Sequence, residues 1–391
     1  MNYLDAGKAI IEELNKNGFL AYFVGGMVRD YLINGDVSDI DIATNALPSD
    51  VMRIFPKTHP IGIKFGMILV IYGEYKFEVT TFRSDGETMD NRHPDTIKFE
   101  SSLEIDVKRR DFTINGMAFD KNFNLFDYVD GKKDLLNKLI RAIGDPNKRF
   151  NEDGLRILRG LYFVSKLGFD IEEETYKAMC QNKQLLEKIS IERIYNELKK
   201  ASMGLYFGKC IKLLDESGIS KYLPDLEKGI HYLAENNLSC DLDTLFVLSF
   251  KLNEEMSEGW KFSTSDYNKY NMALNLALAL EDGCYNRLHV YSNKEEVCLL
   301  ANKVNVLLGF VDCSQKIKDI NKNLTLHKTC DLVFKGQDVM KITKKEPAEW
   351  LGNLIDDIKY LVIMGELPNS YDEIKAYAIN RLLEEGVEIE K

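Results

Sequence analysis

Residues 21–44, with the sequence AYFVGGMVRDYLINGDVSDIDIAT, decide the fold of the N-terminal part of the chain. AYFV is a short aromatic and aliphatic run that predicts a strand, and Gly25-Gly26 separates it from the start of a helix. Glycines at such a junction let backbone N–H groups approach a phosphate, while the helix dipole and Arg29 add positive charge. Taken alone, the motif also fits an ordinary strand-to-helix turn. Its meaning therefore depends on the residues that follow.

The next predicted strand, over 39–44, contains a pair of acidic residues. Residues two apart on a strand point to the same face, so Asp39 and Asp41 are neighbours while Ile40 and Ile42 face the core. Two adjacent carboxylates repel each other unless a proton or a cation lies between them, and Mg²⁺ is the oxygen-preferring ion found where phosphates react. The alternative is an acidic strand edge in a chain that has 62 acidic residues. The Gly-Gly turn shortly upstream favours a catalytic pair.

A third acidic residue, Glu78, lies in KFEVTTF (76–82), a strand predicted to run beside the aspartate pair. Glu78 is either a third carboxylate that orients the metal or a structural partner of Arg83 or Arg110. We favour the metal role.

Basic motifs follow further along the chain. Lys108, Arg109 and Arg110 precede an aromatic residue and a turn, and Arg110 is our candidate for triphosphate contact because a guanidinium grips phosphate with two parallel bonds. In the helix predicted over 152–167, Asp153 and Arg156 are three apart and share one face. They form either an ordinary helical salt bridge or a pair that reads a base edge, selecting C and A by the exocyclic amine that G and U lack at that position.

Secondary-structure signals change along the chain. Up to about residue 130, strands alternate with helices, and from about 133 onward strand signals almost vanish. The predicted strands are 21–26, 39–44, 67–72 and 76–82. The predicted helices are 4–16, 28–33, 48–54, 152–167, 173–188, 190–202, 242–251, 269–280 and 294–309. The pattern indicates a small α/β head followed by a helical remainder.

Length and composition exclude several classes of protein. At 391 residues the chain is expected to divide into about two to four units. It has no long apolar run and no signal-like N-terminus, and its seven scattered cysteines fit free thiols, so we expect a cytoplasmic protein. The net charge of −11 argues against a nucleic-acid partner, but the arginines and lysines at 108–110 and 141–159 form basic islands.

Six motifs in this order resemble the class II CCA-adding enzymes and the related bacterial poly(A) polymerases. They are Gly25-Gly26-x-Val28-Arg29-Asp30, Asp39-x-Asp41, Arg109-Arg110-Asp111-Phe112-Thr113-x-Asn115, Asp145-Pro146-x-x-Arg149-Phe150, Glu152-Asp153-x-x-Arg156 and Glu192-Arg193-Ile194-x-x-Glu197-Leu198. The resemblance is strong over about 20–200. A fainter similarity near the C-terminus, including Gly365-Glu366-Leu367-Pro368-Asn369, resembles the tail of the Bacillus-type CCA enzymes.

The resemblance implies an α+β fold with a polymerase-β-like head and a mixed sheet, followed by an all-helical neck, body and tail. We place these parts at residues 1–135, 136–204, 205–290 and 291–391, with the tail binding tRNA. It also implies particular site residues. Asp39 and Asp41 would hold Mg²⁺ and catalyse transfer, and the nucleotide would contact Gly26, Arg29, Arg110, Asp153, Arg156 and Arg159. Many members place another arginine three residues after the last of these, where this chain has Tyr162, which can hydrogen-bond or stack instead.

The implied reaction is untemplated addition of C, C and A to the 3′ end of tRNA from CTP and ATP, with release of pyrophosphate. The alternatives are A-adding or CC-adding enzymes, a poly(A) polymerase and a non-catalytic RNA-binding relative. CC-only members tend to lack part of the segment that here contains Arg83, Asp85, Asp90 and Arg92. Poly(A) polymerases of this type usually have a basic C-terminal extension. The tail of this chain is acidic, which disfavours that alternative.

Overall fold

The computed structural model describes residues 1–35, 37, 39–85, 97–343 and 345–389, apart from the side chains of residues 85 and 97. Asp90 and Arg92 therefore lie outside the described residues, as does the side chain of Asp85. The chain divides into two compact units, Met1–Leu242 with Gly259–Lys261 and Asp243–Glu258 with Phe262–Lys391. The four-part division at 135, 204 and 290 stays a prediction.

The first unit begins with a mixed sheet. Its strands are β1 (Ala21–Val24), β2 (Asp41–Thr44), β3 (Thr58–Gly62), β4 (Met67–Tyr72), β5 (Tyr75–Thr81), β8 (Met117–Phe119) and β9 (Leu125–Asp127). Strands β6 (Arg83–Asp85) and β7 (Ile97–Phe99) pair with each other in a separate two-stranded sheet. Within the described residues, the sheet has the order β3-β4-β5-β2-β1-β8-β9. Only the β2–β5 pair is parallel among these neighbours, and it places Asp41 opposite Glu78.

Helices cover this sheet and continue after it. Those of the first unit are α1 (Tyr3–Lys16), α2 (Gly26–Asn34), α3 (Pro48–Ile54), α4 (Leu103–Lys108), α5 (Gly131–Leu136), α6 (Pro146–Glu152), α7 (Leu155–Leu167), α8 (Glu173–Asn182), α9 (Ile191–Ser202), α10 (Phe207–Glu216) and α11 (Glu227–Glu235). The apolar face of α1 is buried because Ala6, Ile10 and Leu14 recur at helical spacing. A Cβ on Gly7 would lie 2.9 Å from the Phe23 ring, so glycine lets α1 approach the sheet closely.

The long helix predicted over 152–167 is interrupted. Asp153 has an extended backbone (φ −154°, ψ 105°) and separates α6 from α7. Gly154 then packs so tightly that a Cβ there would lie 2.8 Å from Leu185 Cβ. The prediction that Asp153 and Arg156 share one helix face is therefore wrong, because the helix does not run through residue 153.

A second departure concerns the helical remainder. Two short parallel strands, β10 (Leu139–Ile140) and β11 (Asp170–Ile171), join the chain before α6 to the chain after α7. Apart from this pair and the isolated bridges, the described residues beyond 133 are helical or irregular. The expected α+β fold class, with a mixed sheet in the head and helices after it, is confirmed.

The second unit is helical. Its elements are α12 (Leu242–Asn253), α13 (Thr264–Ala279), α14 (Arg287–Leu307), α15 (Ser314–Lys322), α16 (Gly336–Val339), α17 (Glu349–Met364) and α18 (Tyr371–Glu384). Buried Phe246 packs its ring against those of Phe262 and Tyr270. Helix α14 starts earlier than the predicted 294–309 and has a kink at Lys294, whose φ is +65°. Among the described residues, no helix combines the length and the apolar character needed to cross a bilayer.

Candidate active site

A cleft of about 470 Å³ opens in the first unit beside the head sheet. Every residue predicted to bind nucleotide or to catalyse transfer lines this cleft, whereas Glu78 does not. The cleft is lined by Gly25, Gly26, Met27, Arg29, Asp30, Asp39, Asp41, Arg109, Arg110, Asp111, Asn115, Asp153, Arg156, Arg159, Tyr162, Phe163, Lys166 and Lys200. Residues separated by more than a hundred positions in sequence thus meet at one site.

One side of the cleft, which we name the carboxylate wall, is formed by Asp39 and Asp41. Asp41 is the first residue of β2, and Asp39 lies two residues before it. Ile40 and Ile42 are buried, so the predicted alternation places both carboxylates on the open side. Desolvation raises the pKa of Asp41 above its ordinary value, and the neighbouring charges of Glu78 and Asp39 raise it further, against an opposing effect of Arg110. The wall therefore concentrates negative charge that repels itself.

The hydroxyl of Tyr3 is affected by the same negative charges. Burial raises the pKa of its hydroxyl, and the charges of Asp39, Asp41 and Glu78 add to that rise. The hydroxyl also accepts a hydrogen bond from the Ile40 backbone N–H at 3.2 Å. The three acidic residues are thus close enough to act on one group.

The chemistry of the carboxylate wall suits a divalent cation. Carboxylate oxygens are the ligand atoms that Mg²⁺ prefers, and a cation beside Asp41 would offset the burial and the neighbouring negative charges that raise its pKa. Within the described part of the chain, no group of three or more His, Cys, Asp or Glu side chains is arranged to hold a metal ion. Asp39 and Asp41 therefore remain the predicted metal ligands, and Glu78 as a third ligand stays a prediction as well.

The Gly25–Gly26 turn faces the carboxylate wall at the start of α2. Gly25 has a φ of +70°, which side chains rarely adopt, and a Cβ there would lie 3.4 Å from Arg110 Nη1 and 3.6 Å from Asp41 Oδ2. Gly26 is the first residue of α2, so its N–H is among those left without a partner inside the helix. The turn therefore presents backbone donors where an anion would sit.

Arg29 is more deeply enclosed than a simple phosphate contact requires. It is 3% exposed, and it donates from Nε to Asp30 Oδ1 at 2.8 Å and from Nη1 to Asn115 Oδ1 at 2.6 Å. Its guanidinium lies 5.2 Å from the Phe163 ring centroid. The remaining nitrogen, Nη2, lies beside Gly26, 3.4 Å from where a Cβ would be. Arg29 is thus held firmly, with one nitrogen near the turn.

A second group of lining residues, which we name the arginine wall, comprises Asp111, Asp153, Arg156 and Arg159. Asp153 pairs with Arg193 of α9 rather than with Arg156, at 2.8 Å between Oδ2 and Nη2. Its other oxygen accepts from the Leu155 backbone N–H at 3.1 Å, which fixes the start of α7. The salt bridge considered from sequence between Asp153 and Arg156 is therefore not formed.

Arg156 belongs instead to a group built around Glu152. Arg156 and Arg149 both donate to Glu152 Oε2, at 2.5 and 2.9 Å. Arg149 also donates to the backbone carbonyls of Lys108 and Arg109, at 2.7 and 3.0 Å, and so caps the end of α4. These bonds fasten α6 to the head and orient Arg156 along the cleft.

Arg159 forms a charge-assisted pair with buried Asp111. Its Nε and Nη2 donate to Asp111 Oδ2 at 2.9 and 2.6 Å, while Asp111 Oδ1 accepts from the Phe112 N–H and Asn115 Nδ2. Burial alone would raise the pKa of Asp111, but the Arg159 charge and these hydrogen bonds lower it to about 2. Glu197 lies 3.9 Å from Arg159 on the far side. Asp111 is thus ionised over the whole working range of pH.

Sequence reasoning missed several side chains that shape the site. Asn115 and Arg193 were quoted within motifs but received no role, although their contacts with Arg29 and Asp153 hold two predicted nucleotide contacts. Asp106 and Phe163 were not singled out at all. The run 108–115 was the available signal for Asn115, and the repeated arginines on α7 were the signal for Phe163. The motif that contains Arg193 does not indicate its partner, and no pattern in the sequence marks Asp106.

The charge of the cleft differs from that of the chain. Among the described residues, seven arginine and lysine side chains line it against five aspartates, in a protein with a net charge of −11. A focused positive field beside a small acidic pair attracts a polyphosphate and still leaves a place for cations. Transfer of a nucleotidyl group needs both features, and the chain is accordingly an enzyme of the nucleotidyltransferase class.

Comparisons with known proteins narrow this class. Residues 21–141 match the family model described as "Poly A polymerase head domain", residues 168–230 match "Probable RNA and SrmB- binding site of polymerase A", and residues 242–378 match a second-domain model of tRNA nucleotidyltransferases. A CCA-adding enzyme of Enterococcus faecalis is 36% identical over 382 residues, covering 94% of each chain. One from Streptococcus gordonii is 35% identical over 380 residues, covering 94% of this chain and 95% of its own. The chain belongs to the CCA-adding enzyme family.

Solved structures agree with this assignment. The crystal structure of the Bacillus stearothermophilus CCA-adding enzyme in complex with CTP matches with a TM-score of 0.85 and 31% identity, covering 99% of both chains. A Thermotoga maritima CCA-adding enzyme complexed with tRNA shares the fold, with a TM-score of 0.67 at 20% identity. The predicted resemblance, including the polymerase-β-like head and the Bacillus-type relatives, is confirmed.

Proposed function

We propose that this enzyme adds C, C and A in turn to the 3′ end of tRNA, taking them from CTP and ATP and releasing pyrophosphate. The observation that carries the proposal is that the two carboxylates and the predicted base-reading pair line a single cleft. The family, over nearly the whole chain, supports the same reaction. The cleft thus combines a place for chemistry with a place for choosing the base.

The carboxylate wall is the proposed catalytic part. Asp39 and Asp41 would hold Mg²⁺, which when bound neutralises phosphate charge and favours ionisation of the attacking hydroxyl. The RNA 3′-oxygen attacks the α-phosphorus of the nucleotide, a new P–O bond forms, and the bond from the α-phosphorus to the bridging oxygen breaks, so that pyrophosphate leaves. The Gly26 N–H, Arg29 and Arg110 would receive the triphosphate, since each presents a donor beside the turn.

The arginine wall is the proposed base-reading part. Asp153 can accept a hydrogen bond from the exocyclic amine of cytosine or adenine, and Arg156 can donate to the adjacent ring nitrogen or carbonyl. Arg193 and Glu152 fix these two side chains, so their orientation does not depend on a shared helix face. Uracil and guanine present a carbonyl in place of the amine and would leave the Asp153 carboxylate facing another acceptor. Arg159 would contact the nucleotide beside them.

The test is extension of three tRNA substrates, ending at the discriminator base, at C and at CC, with CTP, ATP or both in the presence of Mg²⁺. We expect addition of CCA, CA and A respectively, and no product from UTP or GTP alone. The same reactions with chelator in place of Mg²⁺ are the control and should give none.

Each competing activity has its own product pattern. Addition only to the CC-ending tRNA would indicate an A-adding enzyme, and a product that stops at CC would indicate a CC-adding one. Long A tails would indicate a poly(A) polymerase. Tight tRNA binding without any extension would contradict the proposal and favour a non-catalytic relative.

A further inference from the structure

Asp106 is a buried acid of the head to which the proposed reaction assigns no role. It lies in α4 and is 1% exposed. Its neighbours Leu103 and Val107 on α4 pack into the sheet core with Val24 and Ala43. This packing fixes the position of the Asp106 backbone, so the Asp106 carboxylate is held in place by the core of the head.

This single carboxylate collects donors from three residues. Its Oδ1 accepts from Arg109 Nε and Nη2 at 3.0 and 2.8 Å and from the Arg83 backbone N–H at 3.3 Å. Its Oδ2 accepts from Arg110 Nε and Nη2 at 3.3 and 3.0 Å. Burial would raise the pKa of Asp106, but Arg110 and Arg109 hold it below its ordinary value, so the group stays charged.

The geometry of the Arg110 contact decides which part of the guanidinium reaches the cleft. Asp106 takes the edge formed by Nε and Nη2, so Nη1 is the nitrogen that remains on the cleft side. Nη1 lies 3.4 Å from the position of a Cβ on Gly25, and Asp41 Oδ2 lies 3.6 Å from the same point. The exposed nitrogen of Arg110 is thus aimed at the turn, next to the carboxylate wall.

The charges of Asp106, Arg109 and Arg110 also indicate that Arg110 is available to the cleft. Asp106 is almost fully buried, while the Arg109 and Arg110 side chains are 17% and 20% exposed. Asp106 supplies one negative charge to two guanidinium groups, so it does not neutralise both, and the Arg110 charge also acts on Asp41 across the Gly25 turn. An ordinary surface pair along a helix would hold its arginine loosely and would leave no such excess.

We propose that Asp106 is a positioning residue that sets the orientation in which Arg110 meets the phosphates of the incoming nucleotide. The inference rests on the proposed function, because it needs Arg110 to receive the triphosphate. In this proposal Asp106 itself does not touch the substrate and acts on nucleotide binding through Arg110.

The experiment measures the dissociation constant of CTP by calorimetry and, separately, KM and kcat for tRNA extension. Asp106→Asn keeps the shape but brings an amide N–H₂ against the guanidinium, so we expect CTP binding to weaken and KM to rise by about tenfold or more, with a smaller change in kcat. The matched control is Asp134→Asn. Asp134 is an equally buried head carboxylate, bonded to Thr113 and Arg141 and absent from the cleft lining. The Asp134→Asn variant should lose about as much thermal stability as Asp106→Asn. Its affinity for CTP should stay within about twofold of that of the unmodified enzyme.

A double-mutant cycle separates positioning from general destabilisation. In an Arg110→Ala background, Asp106→Asn should change CTP affinity by less than about twofold, because the residue it acts through is gone. An undiminished effect in that background, an equal effect of Asp134→Asn, or unchanged CTP affinity in Asp106→Asn would each overturn the inference. None of these results touches the proposed function, which is judged by the products that the unmodified enzyme adds to the three tRNA substrates.

Discussion

The two walls of the cleft hold charge in opposite ways. On the carboxylate wall, Asp41 has acidic neighbours, and desolvation together with those neighbours raises its pKa. On the arginine wall, each acid has a cation within hydrogen-bond distance, and the pKa of Asp111 falls to about 2. Both walls lie in the same unit and face the same space. The difference therefore reflects the partners that each wall has inside the protein.

This contrast indicates which interactions the protein completes by itself. The arginine wall is already paired, so its side chains are oriented before any nucleotide arrives, which lowers the ordering cost of binding. The carboxylate wall is left with like charges together, an arrangement that costs stability and is satisfied by a cation. Function and stability should thus respond differently to mutations on the two walls.

The largest expected effect is on the carboxylate wall. Asp41→Asn removes a proposed metal ligand, and a metal contributes several kcal/mol to the transition state, so we expect kcat to fall about a thousandfold or more. Because the substitution also removes like-charge repulsion, the thermal midpoint should stay the same or rise. Single-turnover extension and thermal unfolding measure the two quantities. Asp50→Asn, at a surface acid that pairs with Arg53 on α3, serves as the control and should change neither. A stability loss in Asp41→Asn would show that the two walls do not differ as described.

The reverse pattern is expected for Asp111, where stability should suffer. Asp111→Asn breaks a partly buried ion pair with Arg159, which should cost about 2 kcal/mol in the free energy of unfolding. The depressed pKa adds a pH dependence. The folded-state pKa is about 2 against an ordinary 3.8, so the stabilisation is fully present above about pH 4 and is lost as pH falls toward 2.

Urea unfolding between pH 7 and pH 3 checks this prediction. The difference between the unmodified enzyme and Asp111→Asn should be largest at neutral pH and should shrink below pH 4. Glu152→Gln, at the acid that pairs with Arg156 of the arginine wall, is the control, because the Glu152 side chain is 42% exposed and its loss should cost no more than about 1 kcal/mol. A constant difference at all pH values would mean that the charge of Asp111 is not what stabilises the fold.

Local sequence patterns were sufficient for much of the head. Strand β4 and helix α3 have the predicted bounds, 67–72 and 48–54, because each is bounded by turn or capping residues that lie in the same short segment. The alternation of Asp39, Ile40, Asp41 and Ile42 placed both carboxylates correctly because a strand repeats every two residues. Short-range rules therefore located the carboxylate wall.

The arginine wall could not be derived in this way. The continuous helix is interrupted at Asp153, whose backbone is extended. Gly154 follows it because Leu185, some thirty residues later, occupies the space of a Cβ. Asp153 takes its partner from Arg193, forty residues away, and Asp106 is buried only because α4 docks on the sheet core. These contacts are set by tertiary packing, and a single sequence contains no periodic signal for them.

An intermediate effect is expected for nucleotide choice. Asp153→Ala removes the proposed acceptor for the exocyclic amine, so incorporation of U or G relative to C or A should rise about 10- to 100-fold. Extension with each nucleotide alone measures the ratio. Glu152→Gln again serves as the comparison, since it loosens Arg156 and leaves the Asp153 carboxylate in place. An unchanged ratio in Asp153→Ala would remove Asp153 from base reading and leave it only its bonds to Arg193 and Leu155.

The smallest expected effect is at Tyr162, at the position where the family resemblance leads us to expect an arginine. Its ring packs on Phe163 with centroids 4.9 Å apart, and the Phe163 ring in turn lies 5.2 Å from the Arg29 guanidinium and 5.7 Å from that of Arg159. The contact between the two rings is tilted, with their planes at 50°. Tyr162→Phe keeps the ring and should change KM for CTP by less than about twofold, whereas Tyr162→Ala removes support from Phe163 and should cost about 1 kcal/mol of stability. Steady-state kinetics and urea unfolding of the two variants separate the contribution of the hydroxyl group from that of the ring. If Tyr162→Phe raised KM as much as Tyr162→Ala, the hydroxyl would be a substrate contact, and the arginine wall would extend to residue 162.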